Sequence, residues 1–363
     1  MCCRLKALLS GSLVVLLLGV TAVSVLYAQA DKKGSTPKTD EVLADADFAL
    51  PNPSWMTPFK DVQPLTFVNQ NMPEYAKLDK FWNESEETTT SPNGQSVTRK
   101  VVKIKVPLGL TSNPPIPAEN PMTVAKWNLG RKLYYDAILS SDRTVSCSSC
   151  HDPKRGFTDQ SPVSTGIGGK LGGANAPTVI NTAYNALQFW DGRAASLEEQ
   201  AQGPVGNSLE MFDGDGHAWK RAVKRLRDDP EYVAAFKGVF GTLPNRDNTA
   251  KAIAAFERTV LSGNSIQDRA EAAARQRFAA SGTGDANPKT GDYTKVLKEA
   301  FAAKDVSALK ALQLDPDADA AKAPEVAKRL ATGRTLFFGK ARCNGCHVGD
   351  NWTDNSFHNL GVG

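Results

Sequence analysis

Two pentapeptides carry most of the chemistry this sequence can declare. Cys147-Ser148-Ser149-Cys150-His151 and Cys343-Asn344-Gly345-Cys346-His347 both read C-x-x-C-H. In that pattern two thiols add across the vinyl groups of a porphyrin and the next residue lies beneath the iron, so each is a c-type haem attachment site. Cys147, Cys150, Cys343 and Cys346 would then bind two covalent haems, with His151 and His347 as the proximal iron ligands. The competing chemistry is zinc held by the paired C-x-x-C, which the histidine directly after each pair and an export signal argue against. Between the motifs stand Gln188-Phe189-Trp190-Asp191-Gly192-Arg193 and Asn207-Ser208-Leu209-Glu210-Met211. A plain electron carrier has no need of them, so these residues read as a two-haem enzyme.

The N-terminus supports that chemistry. Arg4 and Lys6 form a basic start, Leu13 to Leu26 an apolar run, and Ala28-Gln29-Ala30 an A-x-A cleavage site, so residues 1–30 read as a signal peptide. The run is short for a membrane span of about 20 residues, which leaves an uncleaved anchor as the lesser alternative. Cleavage would remove Cys2 and Cys3, leaving four cysteines, all in haem motifs, and no structural disulfide. The expected location is the periplasm. The formal charge of +4 includes Arg4 and Lys6 and gives no case for nucleic acid.

Residues 31–106 form an N-terminal extension with scattered prolines, a polar patch at 84–96 and one alternating run, 97–106, that predicts a strand. An arm or small cap is expected there. After a proline-rich lead-in, Thr123 can cap a helix through Leu139, just ahead of the first haem motif. A Gly-rich loop follows at 166–173. It is no phosphate loop, because no strand precedes it and no Gly-Lys-Ser/Thr closes it; its glycines would let backbone pass close to a flat cofactor. Short helices are expected over 174–187 and 194–200, longer ones over 217–227, 231–240 and 248–261, and helical stretches over 263–330 with a break at 282–291. Gly130-Arg131-Lys132-Leu133-Tyr134-Tyr135 before the first motif is matched by Gly333-Arg334-Thr335-Leu336-Phe337-Phe338 before the second. Phe157-Thr158-Asp159 after the first histidine is matched by Trp352-Thr353-Asp354 after the second. The expected fold is all-α: a duplicated pair of cytochrome c-like haem domains, 107–245 and 246–363.

These residues resemble the bacterial di-haem cytochrome c peroxidase family, from about Pro107 to Gly363. The most specific blocks are Asn175-Ala176-Pro177-Thr178, Gln188 to Arg193, Glu198-Glu199-Gln200-Ala201, Ala254-Ala255-Phe256-Glu257-Arg258-Thr259 and Asp354 to Gly361. The resemblance implies a peroxidatic N-terminal haem and an electron-transfer C-terminal haem. The latter is fed by a small c-type cytochrome or cupredoxin, and hydrogen peroxide is the substrate. It implies that Glu210 and Gln200 belong to the distal pocket, that Trp190 lies between the haems, and that Asn175 binds a calcium ion. A homodimer stays open.

Two departures from the family pattern shape the expectations. Many members place a histidine in the Gly-rich loop that caps the peroxidatic iron until the partner haem is reduced; here Ile167 and glycines occupy it. The pocket would then be open without reductive activation, as in the relative that builds tryptophan tryptophylquinone, unless His217 serves as a movable ligand. Second, the family takes the distal ligand of its second haem from beyond the position of Gly363, so the C-terminal domain is expected to be truncated, and no Met follows Met211. Met211 is expected to pack in the distal pocket and His358 to make a propionate or structural contact. The alternatives to a peroxidase are a protein-modifying di-haem oxidase and a non-catalytic di-haem carrier.

Overall fold

A computed structural model of the chain describes residues 63–361, except 91–93 and 215. The basic start, the apolar run and the Ala28-Gln29-Ala30 site lie outside the described residues. Among the described residues no helix is long and apolar enough to cross a membrane.

The body is helical, but the all-α expectation needs one correction. The extension contains a three-stranded sheet in the order β1 (Leu65–Val68), β3 (Ser96–Lys105), β2 (Trp82–Thr90). Strand β3 is the alternating run expected from the sequence. Its partner β2 reads as a polar patch because its outer half is solvated on both faces. Charge complementarity across the ladder holds that half together, with Glu86 opposite Lys100 and Glu87 opposite Arg99. The inner end is apolar and sits on the helical body: Leu65, Phe67 and Ile104 are buried, and Trp82 meets Trp127 edge-on at 5.3 Å.

The first helical core is built on α1 (Val124–Tyr135). Thr123 caps it as expected, its hydroxyl accepting from the Lys126 amide at 3.2 Å. The helix stops at Tyr135, and only a 3-10 turn covers Ala137–Leu139. Then come α2 (Cys147–Cys150), α3 (Leu197–Gln200), α4 (Gly203–Gly206), α5 (Ala218–Asp228), α6 (Pro230–Phe240) and α7 (Arg246–Glu257). Helices α1 and α7 cross at Gly130, where an added Cβ would overlap the Ala252 carbonyl. Only glycine permits backbones to approach this closely. The Trp127 indole N–H donates to Thr259 Oγ1 at 2.7 Å and fastens the same crossing.

No α-helix forms over 174–187. Pro177 interrupts the stretch, and the backbone carbonyls of Asn175 and Ala176 accept from side chains instead, Trp190 Nε1 at 2.9 Å and Thr158 Oγ1 at 2.7 Å. The segment runs irregularly to a single 3-10 turn at Thr182–Tyr184.

A second core is formed by α8 (Ile266–Ser281), α9 (Thr290–Ala302), α10 (Val306–Lys310) and α11 (Ala323–Phe338), around Tyr293, Leu297 and Leu309. Gly282 in the left-handed region ends α8 inside the expected 282–291 break. The two cores divide between Leu261 and Ile266, so a boundary at 245/246 falls within the first core. The reason is the α1–α7 crossing, which binds residues 246–257 to the first haem motif.

The loop after the second motif is fastened to the first unit. Asp350 accepts from Thr111 Oγ1 at 2.6 Å, Ser112 N at 2.9 Å and Ser112 Oγ at 2.7 Å. Asn351 Nδ2 donates to Asn185 Oδ1 at 2.6 Å, and the Ala186 amide to Asn355 Oδ1 at 2.9 Å.

Candidate haem sites

The first motif folds as one helical turn, α2, and its histidine is clasped on both sides. The His151 amide donates to the Cys147 carbonyl at 3.0 Å, and the Tyr134 hydroxyl donates to the His151 carbonyl at 3.0 Å. The imidazole Nδ1 lies 3.3 Å from the Phe157 carbonyl. With Nδ1 donating there, Nε2 keeps its lone pair for a metal, the arrangement that orients a ligating histidine. Burial lowers the His151 pKa, which favours the neutral ligand form. Cys147 and Cys150 are free thiols; Cys147 packs on the first core, and burial lifts Cys150 to about 11.

Beside them opens a cavity of about 410 Å³. Cys150 and His151 line it, and so do Asn175, Trp190, Gln200 and Glu210, which were singled out from the sequence alone. Free thiols at C-x-x-C spacing, a neutral imidazole with one nitrogen committed, and a cavity alongside fit a covalent haem.

Glu210 is positioned by a turn that Asn207 organises. The Asn207 carbonyl receives the amides of Glu210, Met211 and Phe212, its Oδ1 receives the Leu209 amide at 2.9 Å, and its Nδ2 donates to Glu210 Oε1. Burial raises the Glu210 pKa, opposed by the Asn207 bond and by Arg193. The Gly-rich loop is clamped onto this turn. The Ile167 amide donates to the Glu210 carbonyl at 2.8 Å, and Gly166 lies so close to the Leu209–Glu210 backbone that a Cβ would overlap it. At Gly166, therefore, the glycine serves loop-on-loop packing rather than a flat cofactor. Ile167 is 2% exposed and belongs to the first core.

Trp190 is 64% exposed, and its indole N–H reaches the Asn175 carbonyl. Asn175 Nδ2 donates to the Ser161 carbonyl at 2.9 Å. Phe189, next to Trp190, holds a left-handed backbone (φ 67°) and lies under the Arg193 guanidinium, 3.5 Å from its ring centroid. His217 lines a different, adjoining cleft with Gln202, Trp219 and Arg246, and is exposed. Met211 was expected to pack in the distal pocket; it is buried in the first core instead and does not line the cavity.

Sequence reasoning assigned no role to Glu257, the last residue of α7. It lines the same cavity, is 6% exposed, and its Oε2 has no hydrogen-bond partner. Burial pushes its pKa up to about 8, with Arg258 lowering it and Glu198 raising it. The available signal was a lone acid in an alanine-rich helix block.

The second motif repeats the first clasp in a more open setting. The His347 amide donates to the Cys343 carbonyl at 3.0 Å, and its Nδ1 lies 3.0 Å from the Trp352 carbonyl. Phe157 and Trp352, which present those carbonyls, both have left-handed backbones (φ 58° and 54°). Tyr134 meets Phe157 edge-on, and Phe337 meets Trp352 in the same way. Cys343 and Cys346 are free thiols, and Trp352, Leu336 and Phe338 are exposed around them. A haem fits this apolar, histidine-bearing surface too. His358 pairs with Asp354 at 2.8 Å, a structural contact. Among the described residues, Cys346, Asp354 and His358 are the cluster of metal-capable groups that approach one another; Asn175 is not in it.

Residues 124–276 match the family described as di-haem cytochrome c peroxidase. The chain is 41% identical over 155 residues to the cytochrome c peroxidase Ccp of Escherichia coli K12, covering 43% of this chain and 33% of that one. It is 35% identical over 257 residues to a cytochrome-c peroxidase of Denitromonas iodatirespirans, covering 70% and 55%. It is 32% identical over 251 residues to the methylamine utilization protein MauG of Methylorubrum extorquens, covering 68% and 56%. Helical architecture, paired C-x-x-C-H clasps and these matches define a helical haem-protein class. Within it, the chain is similar to the di-haem cytochrome c peroxidase family, and that family implies two c-type haems. The chain spans roughly half or less of the length of these relatives.

Proposed function

We propose that this chain is the di-haem portion of a periplasmic peroxidase that reduces hydrogen peroxide to water with electrons from a small c-type cytochrome or cupredoxin. The observation that carries the reading is one cavity lined by both His151 and Glu210, with the carboxyl of Glu210 half-desolvated. Haem held through Cys147 and Cys150 supplies the redox chemistry. Glu210 takes the first proton of the incoming peroxide and returns it to the departing oxygen, and its raised pKa brings it nearer the working pH. Asn207 fixes the carboxyl, and Gln200 offers its amide to water in the cavity. Trp190, held by the Asn175 carbonyl, offers an aromatic side chain at the cavity, and Cys343, Cys346 and His347 would hold a second haem that would supply one-electron storage. Asn175 is our candidate ligand for a calcium ion that would brace this loop. We read the two units as copies of one cytochrome c-like domain, as the matched clasps support.

One observation favours a second reading, a protein-modifying oxidase: the Gly-rich loop offers no imidazole to cap the iron, and Trp190 faces solvent. The deciding experiment follows peroxide-dependent oxidation of a reduced small cytochrome c by the full open reading frame with both haems loaded. Turnover by the protein as isolated, unchanged by one-electron pre-reduction, is expected. Turnover only after pre-reduction would mean that another residue caps the iron. No turnover in either state, with peroxide shown to bind, would move the assignment to the oxidase.

A further inference from the structure

Among the described residues, Glu257 is the one buried titratable group in the cavity that the peroxidase reading leaves unused. The helix that carries it is pinned against α1 at Gly130, which fixes the place of the carboxyl in the cavity wall. One of its oxygens has no partner, a costly state for a charge at 6% exposure. The nearest cation does not neutralise it: Arg258 is committed to Glu198, at 2.9 and 3.2 Å, and to the Pro115 carbonyl at 2.8 Å. The other titratable groups that bear on it or share its cavity are Glu198 from α3, Tyr134 from α1, Cys147 and Cys150 from α2, and His151, Asp191, Arg193 and Glu210, of which Arg193 is paired with Asp191 at 2.8 and 2.9 Å. Cys147 ceases to titrate once it is a thioether. None of them supplies a free positive charge.

We propose that Glu257 is a proton-binding site of the first haem pocket, taking up one proton when the iron there gains one electron and releasing it when the iron is reoxidised. The inference rests on reading the cavity as a haem site. The electron comes from a one-electron redox protein, or an electrode in the test, and the proton from water reaching the cavity; no bond other than the carboxyl O–H forms or breaks. Reduction lowers the charge of the pocket by one, and protonation of Glu257 restores it. A carboxyl already lifted to about 8 by burial lies where such coupling is felt at ordinary pH.

The test uses the holoprotein, after pyridine haemochrome spectra and mass spectrometry show haem on Cys147 and Cys150. Absence of haem there sinks the haem-site reading itself and is distinguishable from failure of the Glu257 role. Spectroelectrochemistry then gives the midpoint potential of the first haem from pH 6 to 10. The expected result is a fall approaching about 59 mV per tenfold change in proton activity, the one-electron limit, flattened in Glu257→Gln. Reduced-minus-oxidised infrared spectra should show a protonated-carboxyl band that survives in Glu210→Gln and is lost in Glu257→Gln. An equal slope in Glu257→Gln would overturn the proposal. Should that variant not load haem, the Glu210→Gln spectrum decides alone: no carboxyl band, no proton site.

Discussion

Gly130 and Gly333 hold the same place in two similar hexapeptides, yet they meet different surroundings. Gly130 on α1 is pressed against the α7 backbone, whereas an added Cβ on Gly333 of α11 would find nothing within 4 Å. The contrast runs through both units. Tyr134 and Tyr135 are at most 1% exposed, while Leu336 and Phe338 are 48% and 41% exposed. The clasp from imidazole to aromatic carbonyl is nevertheless the same in both. The repeated hexapeptide and the aromatic-Thr-Asp triplet thus build the proximal geometry locally. What gives the first clasp its cavity comes from elsewhere: α7, with Glu257, and the loops carrying Trp190 and Glu210.

The largest effect that would break this comparison lies at Glu210. Among the described residues, the first site has a carboxyl raised by burial at a cavity; at the second, the His358 bond pulls Asp354 down instead. Glu210→Gln should lower peroxide turnover about 10²- to 10⁴-fold, the usual worth of a positioned acid–base group, with haem loading unchanged. The pH profile gives the sign. The base is the carboxylate, and its pKa lies above the ordinary 4.5, so the wild-type rate should fall as pH drops through that raised value. The Gln variant should lose this limb. An unchanged rate and profile would remove Glu210 from the reaction.

Next in size is the helix crossing. Gly130→Ala places a methyl in the Ala252 carbonyl, and because the obstacle is backbone, no rotamer relieves it. A loss of about 3 kcal/mol is expected, at the upper end for overpacking, read as a shifted midpoint in denaturant unfolding. A cost below about 1 kcal/mol would mean that the crossing is not tight.

The same contrast explains what could be read in the sequence. The haem motifs, the Thr123 cap, the break at 282–291 and the gathering of Gln200, Glu210 and Trp190 were legible, because each follows from residue type at fixed spacing or from blocks that the family shares. Strand β2 was not, since Glu84 to Thr90 shows no buried face and is held by charges on a neighbour it meets only after folding. The stretch 174–187 looked helical by composition and was overridden by Pro177 and by side-chain donors from Thr158 and Trp190. Glu257 was quoted within a block but given no task, because burial of a single acid is a property of the α1–α7 crossing and not of its own segment. For the same reason the sequence did not reveal that the helix after 245/246 packs in the first core.

The smallest prediction sharpens the comparison most. Gly333 lies inside α11 with a negative φ and open space around its Cβ position, so an alanine there meets no obstacle. Glycine in a helix interior costs roughly 0.5–1 kcal/mol relative to alanine through backbone entropy. Gly333→Ala should therefore stabilise the second unit by about that amount, opposite in sign to Gly130→Ala. The melting midpoint of the 266–338 helices should rise by about 2–8 °C. A loss of more than about 1 kcal/mol would show that a helix or another surface packs on Gly333 in the working protein, as α7 packs on Gly130. The two haem units would then be alike in their covering as well as in their clasp.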